Sequence, residues 1–131
     1  MGACYSIRLK VKLTDEQGAI HALNEKISTG AKESIRFNIK ELGADTGTFD
    51  GLMKVFLAGW PENQFQKNVE DGFLIYTNDF NAMYSWEQVM AEMFETIAPY
   101  LADGSEFYSN PDNWWETAKI KNGKIKWTQK R

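Results

Sequence analysis

The sequence predicts an α+β domain in which two main helices cover one face of an antiparallel sheet and leave the other face open. Three observations predict it. Residues 3–13 and 34–41 alternate apolar and polar side chains, the period-2 pattern of strands with one buried face. Residues 14–29 and 85–101 instead repeat their apolar residues at helical spacing, as amphipathic helices do. Asn122-Gly123, set between Lys121 and Lys124, is the strongest two-residue signal for a β-hairpin.

Each element follows from its residues. Ala3, Tyr5, Ile7, Leu9, Val11 and Leu13 alternate with Cys4, Ser6, Arg8, Lys10 and Lys12, so the first set faces a core and the second faces water. Thr14 and Gln17 form a capping-box pattern, with Asp15 and Glu16 where the helix dipole favours acids. Ile20, Leu23 and Ile27 supply that helix's buried stripe, and Gly30 stops it. In the second strand Ile35, Phe37 and Ile39 face inward, and Ser34, Arg36, Asn38 and Lys40 face outward. A Gly-rich bend from Gly43 to Gly47 leads to a short helix over 48–58 carrying Phe49, Leu52, Met53, Phe56 and Leu57. Residues 60–72 read as a loop and 73–77 as a short buried strand. Ser85 and Gln88 make a second capping box, before the clearest helical stripe in the chain: Val89, Met90, Met93, Phe94, Ile97 and Leu101. Asp103-Gly104 ends that helix, and strands over 105–109 and 114–121 flank the turn at Asn110–Asn113.

The tight turn at Asn122-Gly123 sets the hairpin register, placing Ile120 against Ile125, Ala118 against Trp127 and Lys119 against Lys126. Directly opposed residues share a face. One face of the hairpin is then Trp114, Ala118, Ile120, Ile125 and Trp127, which is core. The other is Trp115, Thr117, Lys119, Lys121, Lys124, Lys126 and Thr128, which is wet and basic. The order β-α-β-(α)-β-α-β plus a terminal hairpin is that of a ferredoxin-like split βαβ sandwich with an inserted helix at 48–58.

Composition bounds the function classes. The chain has 131 residues, 43% apolar and 25% charged, which fits a single folded domain over 1–131 and excludes global disorder. Cys4 is the only cysteine, so there is no disulfide framework. No apolar run approaches the roughly 18 residues of a membrane span, and no basic-then-apolar signal segment opens the chain. The expectation is a cytoplasmic protein without membrane association. Charge is segregated along the chain: residues 1–40 carry a net +3, residues 41–116 a net −12 and residues 117–131 a net +6. The overall −3 therefore conceals faces of opposite sign, to which partners respond.

The C-terminal part, about residues 84–127, resembles a loosely defined group of small uncharacterised α+β proteins of Gram-positive bacteria and their phages. The resemblance rests on an amphipathic helix, the turn Asp103-Gly104-Ser105, a strand, a Trp-bearing strand and the Asn122-Gly123 hairpin. It implies a fold and a bacterial or phage provenance, and no catalytic residue.

Short motifs point to bland roles. Asp45-Thr46-Gly47 is the tripeptide of aspartic proteases, but a helical pattern follows it, so it reads as a turn with Thr48 capping the helix. Met1 to Ser6 fits an N-myristoylation pattern with Cys4 beside it, yet these residues already belong to the first strand. His21, the sole histidine, sits by Glu25 on a polar helix side and has no cysteine partner for zinc. Asp103, Glu106, Asp112 and Glu116 do not match a calcium-loop spacing and read as turn and loop-end acids. No metal or cofactor is expected, and no catalytic residue.

Two surfaces remain. The open sheet face collects Arg8, Lys10, Lys12, Lys119, Lys126 and Trp115, with Arg36 and Lys40 joining from the second strand. The helical side carries Glu87, Glu92 and Glu95. The reading is a non-enzymatic protein-binding or modulator domain, derived from a phage or mobile element, acting through one of these faces. Self-association between the faces is a version of it. The alternative is nucleic-acid binding, with the cations on phosphates and Trp115 stacking on bases. A third reading is a small-ligand binder or small enzyme with Trp60, Trp86 or Trp115 as a stacking platform.

Overall fold

The computed structural model describes residues 2–30, 39, 43, 45–57, 65–83, 86–111 and 115–130. In chain order these form β1 (Gly2–Val11), α1 (Glu16–Gly30), α2 (Phe49–Leu57), β2 (Gln66–Glu70), β3 (Phe73–Met83), α3 (Trp86–Ile97), a 3-10 turn (Ala98–Tyr100), β4 (Glu106–Pro111), β5 (Trp115–Lys121) and β6 (Lys124–Lys130). The six strands make one antiparallel sheet in the order β2-β3-β1-β4-β5-β6. The α+β class is as the sequence predicts.

β1 is central, pairing with β3 on one side and β4 on the other. Its alternation decides which face is buried: Tyr5, Ile7, Leu9 and Val11 are buried while Cys4 and Arg8 are exposed. The three helices pack over the inward face, where Leu23 of α1, Leu52 and Met53 of α2, and Met90, Met93 and Phe94 of α3 join Leu9, Tyr76 and Phe107 in one core cluster. None of the described helices lies on the outer face of the sheet.

Helix ends follow from local chemistry. Asp15, not Thr14, caps α1: its carboxylate accepts the Gly18 N–H at 2.9 Å. Thr14 instead donates its backbone N–H to the Tyr100 carbonyl at 2.8 Å. The expected capping box is corrected because the tertiary contact to the 3-10 turn draws Thr14 away from the helix. The Asp45-Thr46-Gly47 segment is a turn, as its context predicts. Asp45 accepts the Gly47 N–H at 2.9 Å and Thr48 Oγ1 accepts the Gly51 N–H at 3.0 Å, which starts α2. Helix α3 stops at Ile97, four residues before the expected end. Pro99 in the following 3-10 turn has no N–H to extend a helix, and Leu101 forms a bridge to Leu13 instead. Ser85, of the second expected capping box, lies outside the described residues.

The middle of the chain differs most. The strand expected over 34–41 lies outside the described residues apart from Ile39, which is helical. The strand that flanks β3 is β2, in a stretch that reads as loop. The two hairpins share one turn chemistry. Asp71 and Gly72 have φ of 53° and 81°, and Asn122 and Gly123 have φ of 54° and 73°, the left-handed pair of a type I′ turn. The β5–β6 register is as expected, with Ile120 opposite Ile125, Ala118 opposite Trp127 and Lys119 opposite Lys126. Asp103 reinforces that turn by accepting the N–H groups of Asn122 at 2.8 Å and Gly123 at 3.0 Å. These two donors hold the Asp103 carboxyl below the usual carboxylate range, with little desolvation to oppose them.

Candidate functional site

The outer face of the sheet brings the expected cations together. Strand register aligns Lys10, Glu106, Lys119 and Lys126 across β1, β4, β5 and β6, and Arg8, Tyr108, Thr117 and Thr128 in the next row. Lys121 and Lys124 oppose each other at the hairpin turn. Lys12 continues the β1 series, and the ammonium groups of Lys10 and Lys12 stand 4.8 and 5.9 Å from the Phe73 ring centre. Arg8 reaches Glu106 at 3.9 Å. Trp115 pairs with Lys130 at the start of β5, and its side chain lies outside the described residues, as do Arg36 and Lys40. Tyr108, half-buried on this face, is an aromatic that sequence reasoning left unassigned. Its place follows from the β1–β4 register, which sets it opposite Arg8.

The acidic helix face is divided. Gln88, Ala91, Glu92 and Glu95 share one side of α3 and form the wall of a groove of about 350 Å³, closed on the other side by Glu116 and Trp127. Glu87 lies one residue outside this i, i+3, i+4, i+7 set and does not line the groove. Lys26 of α1 approaches Glu92 at 3.9 Å at the rim. Glu116 is the residue that sequence reasoning misplaced. It is 7% exposed rather than a solvated loop end, because it shares the inward face with Ala118 and Ile120. The signal was present: the Asn122-Gly123 register, counted back in twos from Ile120, reaches Glu116. Trp127 is only half-buried, packed edge-on against Phe107 and Phe94 with ring centres 5.8 and 6.3 Å away.

A third cluster ties the sheet edge to α2. Lys67 of β2 donates to both oxygens of Asp50 at 3.0 and 2.9 Å, and Tyr76 donates its hydroxyl to Asp50 at 2.6 Å. Burial by itself would raise the Asp50 carboxyl. The hydrogen bonds from Lys67 and Tyr76, with the charges of Lys67 and Lys54, outweigh it and hold the group below the usual carboxylate range. Burial, then the hydrogen bond to Asp50 and its charge, pushes the Tyr76 phenol far up. The cluster is a clamp on the edge strand, already saturated by its own members. His21 is exposed with Glu25 at 3.5 Å, the solvated helix pair its sequence position implies. Trp86, offered above as a stacking platform, is corrected: it is 1% exposed and part of the core, and Trp60 lies outside the described residues.

Among the described residues no group of three or more His, Cys, Asp and Glu is arranged to hold a metal ion. No described helix is long and apolar enough to cross a membrane. No known protein family, curated protein or solved structure matches the chain. The geometry alone therefore supports two kinds of chemistry, anion recognition on the outer sheet face and cation recognition in the α3 groove.

Proposed function

We propose that the chain is a non-enzymatic, cytoplasmic protein-binding domain whose open sheet face docks an acidic protein surface. One observation carries the reading. The β5–β6 hairpin opposes Lys119 with Lys126 and Lys121 with Lys124. Directly opposed like charges cost a sheet a few tenths of a kcal/mol to about 1 kcal/mol each. A surface with no use for these lysines gains stability from replacing either member of each pair. Lys10, Lys12 and Arg8 extend the patch along β1, and complementary charge speeds encounter with an acidic partner.

Glu106 favours a protein partner over a polyphosphate. It sits between Lys10 and Lys119 in the middle of the cationic row, where it repels a uniformly anionic backbone but matches a partner of mixed charge. Nucleic-acid binding is the second reading, favoured by Tyr108 beside Arg8 on the same face. At the finer level of fold, we read β2-β3-β1-β4 with α1 and α3 as a ferredoxin-like split βαβ unit. In that reading α2 is an insertion ahead of β2, and β5–β6 is an appended hairpin that carries the lysines. The phage or mobile-element provenance implied by the C-terminal resemblance belongs to the same reading.

The test is fluorescence polarisation of a labelled Glu/Asp-rich peptide and of labelled single-stranded RNA and DNA, at low and moderate salt. The expected result is salt-sensitive binding of the peptide that falls at least about tenfold in Lys126→Glu. Because that substitution replaces a like-charged cross-strand pair by an opposite one, its melting temperature should rise by a few degrees. Binding of nucleic acid in preference to the peptide promotes the second reading. Absence of binding to either at low salt removes the sheet face as a docking surface.

A further inference from the structure

Among the described residues the sheet ends in two free edges, β2 and β6, and an edge strand presents backbone N–H and C=O groups that no neighbouring strand takes up. In β6 the hairpin decides which groups these are. A two-residue type I′ turn makes its flanking residues a hydrogen-bonded pair, here Lys121 and Lys124. Bonded and non-bonded pairs then alternate along an antiparallel ladder. Lys124, Lys126, Thr128 and Lys130 therefore turn their backbone groups toward β5, and on that side the Thr128 carbonyl accepts from Thr117 Oγ1. Ile125, Trp127 and Gln129 turn theirs outward, to an edge that no described strand covers.

The side chains alternate in the same rhythm. Lys124, Lys126 and Thr128 are exposed on the outer face, whereas Ile125 and Trp127 are half-buried on the inward one. Trp127 packs edge-on against Phe94 and Phe107, so the apolar core reaches the last strand and ends there only partly covered. Natural sheets blunt such an edge with a proline, a bulge, an inward-pointing charge or outward lysines. β6 has no proline, its inward positions 125, 127 and 129 are uncharged, and its ladder with β5 runs unbroken from Lys124 to Lys130. Only the lysines remain. We propose that the acidic partner binds as an extended strand added to the free edge of β6, with acidic side chains on its outward face and apolar ones on its inward face. The inference rests on the acidic-partner reading of the sheet face.

Each kind of group selects that occupant. Backbone pairing along Ile125, Trp127 and Gln129 supplies affinity, and side chains at alternate positions supply specificity. Acids on the partner's outward face stand beside Lys124 and Lys126, where they complete oppositely charged cross-strand pairs. Apolar residues on its inward face cover Ile125 and Trp127 and withdraw them from water. A second copy of this chain is disfavoured, because two β6 edges paired with each other bring their lysine rows together. β2 is the poorer edge for an acidic strand. It has five residues against seven, and of its two charges Lys67 is already held by Asp50 while Glu70 repels an acid.

The test uses the full chain and a labelled seven-residue peptide of alternating Glu and Val, as long as β6. Binding is followed by fluorescence polarisation at low salt, and backbone amide exchange by NMR. In the free chain the Lys126 and Thr128 amides should be protected and those of Ile125 and Trp127 open. Saturable binding of the peptide should then slow exchange at Ile125 and Trp127 by about tenfold or more. Two further peptides carry backbone N-methyl groups, one at every Glu and the other at every Val, so that only one of them loses the donors that face β6. These two should differ in affinity by about tenfold or more. Equal binding of the two methylated peptides, or Ile125 and Trp127 amides unchanged by bound peptide, would overturn strand addition and leave the sheet face docking its partner through side chains alone. Binding of a Glu/Asp-rich peptide but not of the alternating one would do the same. Absence of binding by either peptide would overturn strand addition and the acidic-partner reading together.

Discussion

Trp86 donates its indole N–H to the Phe56 carbonyl at 2.9 Å while its own backbone N–H donates to the Tyr5 hydroxyl at 3.2 Å. Phe56 is in the last turn of α2, whose carbonyls a helix cannot bond to itself, so the indole finishes one helix from the start of another. Trp86→Phe removes the donor and leaves a void, and should cost about 2–4 kcal/mol in urea unfolding. A loss under about 1 kcal/mol would show that the hydrogen bond is not structural. The burial of this residue was not legible from its type, because a Trp at the head of an amphipathic helix serves core and surface equally well. Glu116 is the converse case. Its parity was readable from the hairpin, but an acid near a turn reads as solvated until the sheet shows which strands lie on both sides of it.

At the scale of elements, short signals decided most of the outcome. Asn122-Gly123 specified a register that the whole β5–β6 ladder keeps, because a two-residue turn leaves the strands no freedom to slip. Asp71-Gly72 is a signal of the same kind, and β2 was missed because its residues, Gln66 to Glu70, are all exposed and lack apolar alternation. What holds β2 is tertiary: pairing with β3 and the Lys67–Asp50 clamp. Helix α2 yields a prediction that propensity alone would reverse. Gly51→Ala should favour a helix by about 1 kcal/mol. A Cβ at Gly51, however, would lie 1.8 Å from the Asp45 carbonyl oxygen in the capping turn. The variant should instead be less stable by about 1–3 kcal/mol, read from its urea midpoint, and a gain in stability would refute the close packing of that turn.

Over the whole molecule, charge links stability to pH. Asp50 and Asp103 both ionise more readily folded than unfolded. The unfolded chain therefore binds more protons around their ordinary value of 3.8, and stability falls as pH drops through and below that value. At the other end the raised Tyr76 phenol keeps its proton in the folded state above the ordinary value of 10.0. The unfolded phenol ionises there, so stability falls as pH rises past it. Melting temperature against pH should show a plateau between these arms. Asp50→Asn should flatten part of the acid arm, and an unchanged acid arm would exclude the Asp50 cluster as its source.

The sequence by itself determined the α+β class, the first strand and its buried face, the helical stripes and the hairpin register, since each depends on periodicity or on a turn within a few residues. It also determined that cations and acids would be segregated, because charge is a property of composition along the chain. Tertiary structure alone decided that β2 is a strand. It also decided that Leu101 leaves its helix to bridge Leu13, and that Glu92, Glu95, Glu116 and Trp127 meet in one groove. Those outcomes join residues from distant parts of the chain, and no local pattern carries the free energy of pairing and burial that brings them together.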